Sequence, residues 1–483
     1  MRFLFLSLFT LTLSLAQAQD KPFEYNLGWK GGGSLNPIQV KSISDSSGDL
    51  TCVLAKNSSQ MKGFLFDKNM KFLKTFTTSA IEEAFLGGFI KDSVAHVFLR
   101  AEFVDEVHVI NINLRDGTSE NFITPFVLKG EKKIGSINSG DAFLYITAEK
   151  KEPVLNVYKF TGVATAEKIS FDLSKEELKT NFAKRELWDA LSSPSSLSRS
   201  VDVAIVDPDI ECEAEVADSP NKLYLRKNSL LLFLDRDPEQ LKIFDLNLQT
   251  KSASYRIIKR GFPPIAVDAF DKPKFNSFLL DDKLYFVHAT ASDLSTCIYN
   301  FDSGKLLSNY HATADGQIDF KNTPVIQEGG GTIYSKNVER ELVKTKQLLR
   351  KMMAGNALIT AVKNASNQHE VTIGAYKKIT QTSGGYVMGG GFGPAGFAGG
   401  TATYFTTGIS SSWSRVTRFK MLVDPVSAKQ IGGEMQQSKS EEIQDYSQDL
   451  RIPEKGSSVF VANNFYQFAY YDRDEKKLVV VKF

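Results

Sequence analysis

One unit recurs along the whole chain: an apolar strand rich in β-branched and aromatic residues, a short turn and a second strand. The turns consist of Asp, Asn, Gly and Lys, and apolar and polar residues alternate on both sides of them. This pattern is typical of a β-hairpin. It occurs in segments 63–76, 107–123, 155–171, 241–257, 297–310, 418–431 and 468–483. The repetition constrains the fold more than any single motif and predicts an all-β protein.

A further strand opened by a polar turn precedes several hairpins, so the predicted unit has three or four antiparallel strands. These strands lie in 46–57, 138–150, 279–290 and 354–364, the last followed by a strand-like 369–379. The first three hairpins are spaced by about 48 residues, and β-propeller blades are four-stranded units of roughly that length. The chain therefore resembles β-propeller repeat proteins, in architecture only and without the motif of a specific family. The resemblance implies about seven blades, or roughly six to eight.

Two longer intervals between hairpins predict helical insertions near 174–192 and 337–354. The first has a capping box, Ser174 to Glu177, and the second ends before Gly355. We expect each apolar face to pack on the body of the protein. The first face consists of Leu178, Phe182, Leu187, Trp188 and Leu191, and the second of Val338, Leu342, Leu349, Met352 and Met353.

The N-terminus reads MRFLFLSLFTLTLSLAQAQD: a basic Arg2, an apolar run and an Ala16-Gln17-Ala18 cleavage motif. This pattern predicts a signal peptide over 1–18. We expect a mature β-propeller-like domain over 19–483, exported to the periplasm or the extracellular space. No segment is long and apolar enough to predict a transmembrane span.

The charge balance and the cysteines exclude several classes of protein. The chain carries 58 Lys and Arg against 56 Asp and Glu, a formal net charge of +2, so no nucleic-acid partner is expected. Three cysteines are no disulfide framework. Cys52 and Cys297 lie in strand-like apolar segments that favour buried thiols. Two of the three cysteines could form one disulfide, and the sequence does not indicate which two.

The glycine-rich stretch 384–400, GGYVMGGGFGPAGFAGG, contains a G-x-G-x-x-G match from Gly391 to Gly396. A dinucleotide loop needs a buried strand before it and a helix after it, and the flanking sequences favour neither, so no nucleotide is expected. The stretch is uncharged and carries large apolar side chains. The stretch is interpreted first as a loop between strands that lies against its own blade or is disordered; the functional alternative is a mobile hairpin tip that inserts its aromatic side chains into a protein partner, a lipid interface or a glycan. The candidate binding residues are Tyr386, Met388, Phe392 and Phe397.

Segment 202–218 is acidic and has no Lys or Arg. Its alternating carboxylates would share one face of a strand, and oxygen ligands suit Ca²⁺. The alternatives are a solvated acidic face or a cationic partner. The candidate ligands are Asp207, Asp209, Glu211, Glu213 and Glu215; no other cofactor is expected.

No catalytic constellation is evident in the sequence. The five histidines follow no zinc-ligand spacing, and no G-x-S-x-G motif occurs. The leading hypothesis is an exported, non-enzymatic β-propeller that serves as a binding or scaffold module for a protein or glycan partner. The alternative is an exported propeller hydrolase or lyase whose site lies in the central channel.

Overall fold

The computed structural model describes residues 23–29, 38–80, 84–100, 107–124, 130–162, 166–174, 186–192, 201–207, 210–261, 272–329, 339–364, 366–383, 409–435, 437–450, 452 and 456–483. These residues form seven sheets of four or five strands, which are the blades of a β-propeller and confirm the predicted architecture. They fall into two compact units, Met1–Phe126 with Lys439–Phe483, and Val127–Ser438.

The first unit contains three antiparallel four-stranded sheets, numbered by strand in chain order. The first sheet is β2 (Gln39–Ser44), β3 (Leu50–Lys56), β4 (Gln60–Asp67) and β5 (Phe72–Ser79). The second is β6 (Ala84–Lys91), β7 (Val94–Arg100), β8 (Val107–Asn113) and β9 (Ser119–Thr124). The third combines β1 (Phe23–Asn26) with β28 (Ser457–Ala462), β29 (Phe465–Asp472) and β30 (Lys477–Lys482).

Strand β1 joins the two ends of the chain, because it pairs antiparallel with β30 and so completes the last sheet. Its side chains also pack on the first sheet: the Phe23 ring lies 5.0 Å from that of Phe66, and the Tyr25 ring 4.9 Å from that of Phe64. Helix α4 (Lys439–Asp449) packs through Ile443 on the last sheet. This helix was not predicted.

The second unit contains four sheets. The first two are β10 (Glu131–Ser139), β11 (Ala142–Glu149), β12 (Val154–Phe160) and β13 (Glu167–Asp172), and β14 (Ala204–Val206), β15 (Asn221–Arg226), β16 (Ser229–Leu234), β17 (Gln240–Asn247) and β18 (Ser252–Lys259). The third is β19 (Lys274–Leu280), β20 (Lys283–Ala289), β21 (Asp293–Asn300) and β22 (Leu306–Thr313). The fourth is β23 (Val325–Gly329), β24 (Arg340–Leu342), β25 (Asn356–Lys363), β26 (His369–Ser383) and β27 (Ile409–Val423). All pairs are antiparallel except β14 with β15.

Inner and outer strands of a sheet differ in burial, which explains the two kinds of strand in the sequence. Inner strands such as β3 and β20 are buried along almost their whole length and are nearly continuous apolar runs. Outer strands such as β5 and β22 bury only a few side chains and stay polar elsewhere. The apolar side chains of neighbouring sheets within each unit form the cores.

Two helices of the second unit lie in the predicted insertions: α1 (Glu186–Leu191) and α3 (Thr345–Ala354). A third, α2 (Ala214–Ala217), lies in the acidic segment 202–218 and was not predicted. The predicted packing is confirmed for the described part of each apolar face, because Leu187, Trp188 and Leu191 of α1 and Leu349 and Met352 of α3 are buried, whereas Met353 is partly exposed. Residues 175–185, with part of the first predicted helix, lie outside the described residues. No helix in the described part of the chain has the length and apolar character needed to cross a membrane.

Two predictions of local structure need correction. Helix α3 begins at Thr345 rather than near 337, because Leu342 pairs in β24 with Val325 instead of continuing a helix. The hairpin predicted for 418–431 forms its turn, with Val423 bridged antiparallel to Gln430, but its second arm is not a strand. Strand β27 already pairs with β26 and β23, and Asn322 hydrogen-bonds the backbone of Lys420 and Leu422 farther along.

The three cysteines are free. Cys52 and Cys297 are fully buried, as their apolar segments predicted, and Cys212 is partly exposed. Burial raises the pKa of the Cys52 and Cys297 thiols to about 12, so neither supplies a reactive thiolate near neutral pH.

Candidate functional site

A polar pocket of about 520 Å³ lies in the second unit, where α2, the start of β25 and strand β26 meet. We call it the polar pocket. Its wall combines three carboxylates with three ammonium groups, a phenol and an amide: Asp202, Glu215 and Asp218; Lys274, Lys377 and Lys378; Tyr376; and Asn356. Its volume falls within the range of small-molecule binding sites.

Asp218 is the carboxylate best placed to act on a ligand. It follows directly after α2, and its Oδ2 accepts a hydrogen bond of 3.0 Å from the Asn356 amide. Its Oδ1 is buried and has no hydrogen-bond partner among the described residues. Burial raises the pKa of Asp218 to about 6, and the charges of Asp202 and Glu215 act in the same direction.

Tyr376 presents a second polar atom without a partner. The residue lies on β26, and its buried hydroxyl lies near Glu215 and Ser414 without meeting the geometry of a hydrogen bond to any described residue. Burial and the nearby charge of Glu215 raise the pKa of Tyr376 to about 12. The phenol therefore keeps its proton at neutral pH, and its O–H can donate a hydrogen bond to a ligand.

The other two carboxylates of the pocket have cationic partners. Glu215 pairs with Lys378 at 2.9 Å, and both side chains are exposed. Asp202 pairs with Arg236 at 2.7 Å. Asp218 has no such ion pair in the described part of the chain, so its charge is the least compensated in the pocket.

Lys222 lies close to the pocket and is fully buried. Its Nζ donates to the Ser219 carbonyl and to Asn276 Oδ1, both at 2.6 Å. Burial lowers the pKa of Lys222 to about 8. These bonds fix the backbone next to Asp218, since Ser219 is its neighbour in the chain.

The structure contradicts the strand geometry on which the predicted Ca²⁺ site depended. Glu213 is the N-cap of α2 and Glu215 lies in its first turn, so the carboxylates do not alternate along a strand. The Ala-Glu-Val-Ala sequence forms a helical turn because alanine and glutamate favour helix. In the described ranges no three His, Cys, Asp or Glu side chains could jointly hold a metal. Asp209 lies outside those ranges, and Ca²⁺ binding by Asp207 and Glu211 stays a prediction.

The glycine-rich stretch lies outside the described residues, together with Tyr386, Met388, Phe392 and Phe397. The structure describes the strands on either side of it: β26 pairs with β27 as far as Ser383 opposite Ile409. Partner binding by the four side chains stays a prediction.

Sequence reasoning missed Asp218, Tyr376 and Lys222 as members of one site. Asp218 appeared only as one of several acids in segment 202–218. Tyr376 and Lys222 stand in strand patterns that carry no functional signal. One weak indication was available: Lys222 interrupts an otherwise buried strand, and a buried charge calls for a specific partner.

Comparison with known proteins identifies no family, because no protein-family model and no curated protein matches the chain. Among solved structures, a mutant of the Synechocystis apocarotenoid oxygenase aligns at 8% identity over 64% of this chain and 65% of its own, with a TM-score of 0.29. Cobalt-substituted Synechocystis ACO aligns at 10% identity over 59% and 63%, with a TM-score of 0.28. A prolyl endopeptidase structure aligns at 10% identity over 91% of this chain and 46% of its own, with a TM-score of 0.31. These scores carry no argument about function, and the propeller assignment rests on the seven sheets.

Proposed function

We propose that the chain is an exported β-propeller that binds a hydroxyl-rich ligand, such as a glycan, in the polar pocket without converting it chemically. One observation carries this proposal: Asp218 and Tyr376 line the same pocket, and Asp218 Oδ1 and the Tyr376 hydroxyl are buried without a hydrogen bond of good geometry to a described residue. Leaving a buried polar group without a hydrogen bond costs about 1–3 kcal/mol. A ligand that bonds to both groups recovers that free energy.

A hydroxyl group matches this pair of atoms better than a cation does. Above its pKa of about 6, Asp218 accepts a hydrogen bond, whereas Tyr376 donates one. A hydroxyl both donates and accepts, so a ligand rich in hydroxyls serves both groups. An ammonium group can only donate, and it would meet the three lysines of the pocket. The geometry therefore favours a glycan over a basic peptide.

The pKa of Asp218 is also the observation that favours the enzyme alternative. A carboxyl group that titrates near pH 6 suits general acid or base catalysis. A hydrolase would need a second reactive group in the pocket, and the other two carboxylates are held in ion pairs. Incubation with glycans followed by product analysis separates the two functions: binding without products supports the proposed module, and cleavage products establish the hydrolase or lyase.

The variant Asp218→Asn should be more stable than the wild type and defective in binding. Because the folded-state pKa of about 6 exceeds the value of 3.8 for an unperturbed aspartate, the wild type loses stability as the pH rises through that interval. We expect the variant to lack this loss and to gain up to about 3 kcal/mol at pH 7. Urea unfolding at pH 4 and pH 7 measures the difference.

Binding is tested on an oligosaccharide array with the wild type, Asp218→Asn and Tyr376→Phe, which removes only the hydroxyl. We expect each variant to lose about tenfold in affinity, since each lacks one buried hydrogen bond to the ligand. Glu167→Gln is the control, because this exposed carboxylate pairs with Lys251 at 2.7 Å, lies outside the pocket wall, and should leave binding unchanged and affect stability by less than about 1 kcal/mol. Equal binding by the wild type and both variants would refute the assignment of the pocket.

Export has its own test. Cleavage before Gln19 would leave β1, which begins at Phe23, intact for pairing with β30. We therefore expect N-terminal sequencing of the exported protein to begin at Gln19. Ala18→Arg places a large charged residue at the cleavage motif and should block processing. A mature protein that begins inside β1 would contradict the predicted signal peptide.

A further inference from the structure

Four basic side chains of the second unit converge on one face of the sheet that contains β23, β24, β26 and β27. In the backbone register of the sheet, Lys377 on β26 and Gly329 on β23 both lie opposite Arg415 on β27. Arg340 on β24 lies opposite Gln327, which is two residues before Gly329 on β23. Alternation along a strand therefore places Lys377, Arg415 and Arg340 on the same face. Helix α3 contacts these strands and contributes Lys351. We call Arg340, Lys351, Lys377 and Arg415 the basic cluster.

The positive charges of the cluster are close enough to affect one another. Burial lowers the pKa of Lys351, and the charges of Arg415, Arg340 and Lys377 lower it further. The Arg415 Nε is buried and has no hydrogen-bond partner among the described residues. None of the four side chains forms an ion pair with a carboxylate that the structure describes.

The opposite face of the same strand shows the ordinary arrangement. Arg418, three residues beyond Arg415 on β27, pairs with Glu328 at 2.8 Å. The basic cluster has no acidic counterpart of this kind in the described part of the chain. Like charges held together without a counter-charge destabilise the fold by mutual repulsion. An anion bound between them would remove that repulsion and bond with the buried Arg415 Nε.

We propose that the basic cluster is an oxyanion-binding site that holds a sulfate or phosphate group, either free or carried by a larger ligand. Two arginines supply planar donor sets that match the oxygens of such a group, and two lysines supply compact charges. This site goes beyond the proposed glycan pocket, since it uses neither Asp218 nor Tyr376. Lys377 borders both.

Isothermal titration calorimetry at constant ionic strength tests the site with three probes: sodium sulfate, sodium phosphate and a chondroitin sulfate tetrasaccharide. Lys351→Gln and Arg415→Gln should each weaken binding by about tenfold. Arg350→Gln is the matched control, because Arg350 is exposed on the same helix and outside the cluster; its effect should stay below about twofold. Neither cluster variant should melt at a lower temperature, because each removal relieves repulsion.

The probes also distinguish the source of the anion. Inorganic sulfate or phosphate that binds as tightly as the tetrasaccharide supports a free ion, and tighter binding of the tetrasaccharide than of its desulfated form supports a carried group. Absence of binding by all three probes overturns the proposal. An equal loss of affinity in Arg350→Gln and in the cluster variants also overturns it, because it would show that the probes respond to the net positive charge of the protein rather than to a specific site. Asp218→Asn should retain oxyanion binding, so failure of the glycan pocket would leave this result unchanged.

Discussion

Replacing Asp235 with alanine should lower the free energy of unfolding by about 3–5 kcal/mol, because it leaves a buried guanidinium without its counter-charge. Asp235 and Arg260 form an ion pair in the second unit, and both side chains are almost completely inaccessible to solvent. Ser277 Oγ donates a second hydrogen bond of 2.6 Å to Asp235. Burial already lowers the pKa of Arg260 to about 9, which shows how unfavourable its charge is there.

Chemical denaturation of Asp235→Ala beside Asp302→Ala measures this effect. Asp302 pairs with Arg226 at 3.5 Å with both side chains exposed, so its loss should cost less than about 1 kcal/mol. The double variant Asp235→Leu/Arg260→Met should recover most of the loss, because Phe275 and Phe286 surround the guanidinium and would pack on methionine. A single-variant loss no larger than that of Asp302→Ala would contradict the uncompensated-charge explanation.

The double variant Phe23→Ala/Tyr25→Ala should lower the free energy of unfolding of the protein by about 3–5 kcal/mol. Phe23 stacks on Phe72 at 5.0 Å and contacts Phe66, so β1 joins two sheets of the first unit through its side chains. Truncation removes these aromatic contacts and leaves β1 with only its backbone pairing to β30. Thermal and urea unfolding measure the loss.

Glu24→Ala is the control within the same strand. Glu24 points away from these aromatic rings to an exposed ion pair with Lys477 at 2.9 Å, so its loss should cost less than about 1 kcal/mol. A similar cost for Glu24→Ala and the double variant would mean that backbone pairing, rather than aromatic packing, holds β1 in place.

The repeated blades could be predicted because they depend on local patterns. Turns such as that after Asp67, whose carboxylate accepts hydrogen bonds from the amides of Asn69 and Lys71, are visible as short polar runs between apolar strands. The start of α3 could not be predicted, because pairing of Leu342 in a sheet overrides the helix preference of its neighbours. Helix α4 was missed because its sequence is mostly polar, and Ile443 is the only buried residue among those of its side chains that the structure describes.

The candidate site could not be predicted because its members come from distant parts of the chain. Asp218 follows α2, Asn356 begins β25, and Tyr376 lies on β26. Each residue type is ordinary in its local context, and only the burial of Asp218 Oδ1 and of the Tyr376 hydroxyl distinguishes the site. The same holds for the basic cluster, whose charges come from four elements. The acidic segment 202–218 was singled out in the sequence and contains Asp218, but the reason was a predicted strand of alternating carboxylates, which does not form.

The pairing of β1 with β30 has a consequence for the order in which the protein folds. Strand β1 precedes the other strands that the structure describes, and it obtains its backbone partner β30 only after residues 477–482 are synthesised. Until then β1 has only its side-chain contacts with the first sheet, and the later pairing closes a long loop at an entropic cost. Completion of this sheet is therefore a late, non-local event. If the predicted signal peptide directs the chain across a membrane before it folds, this sheet is completed only after the crossing.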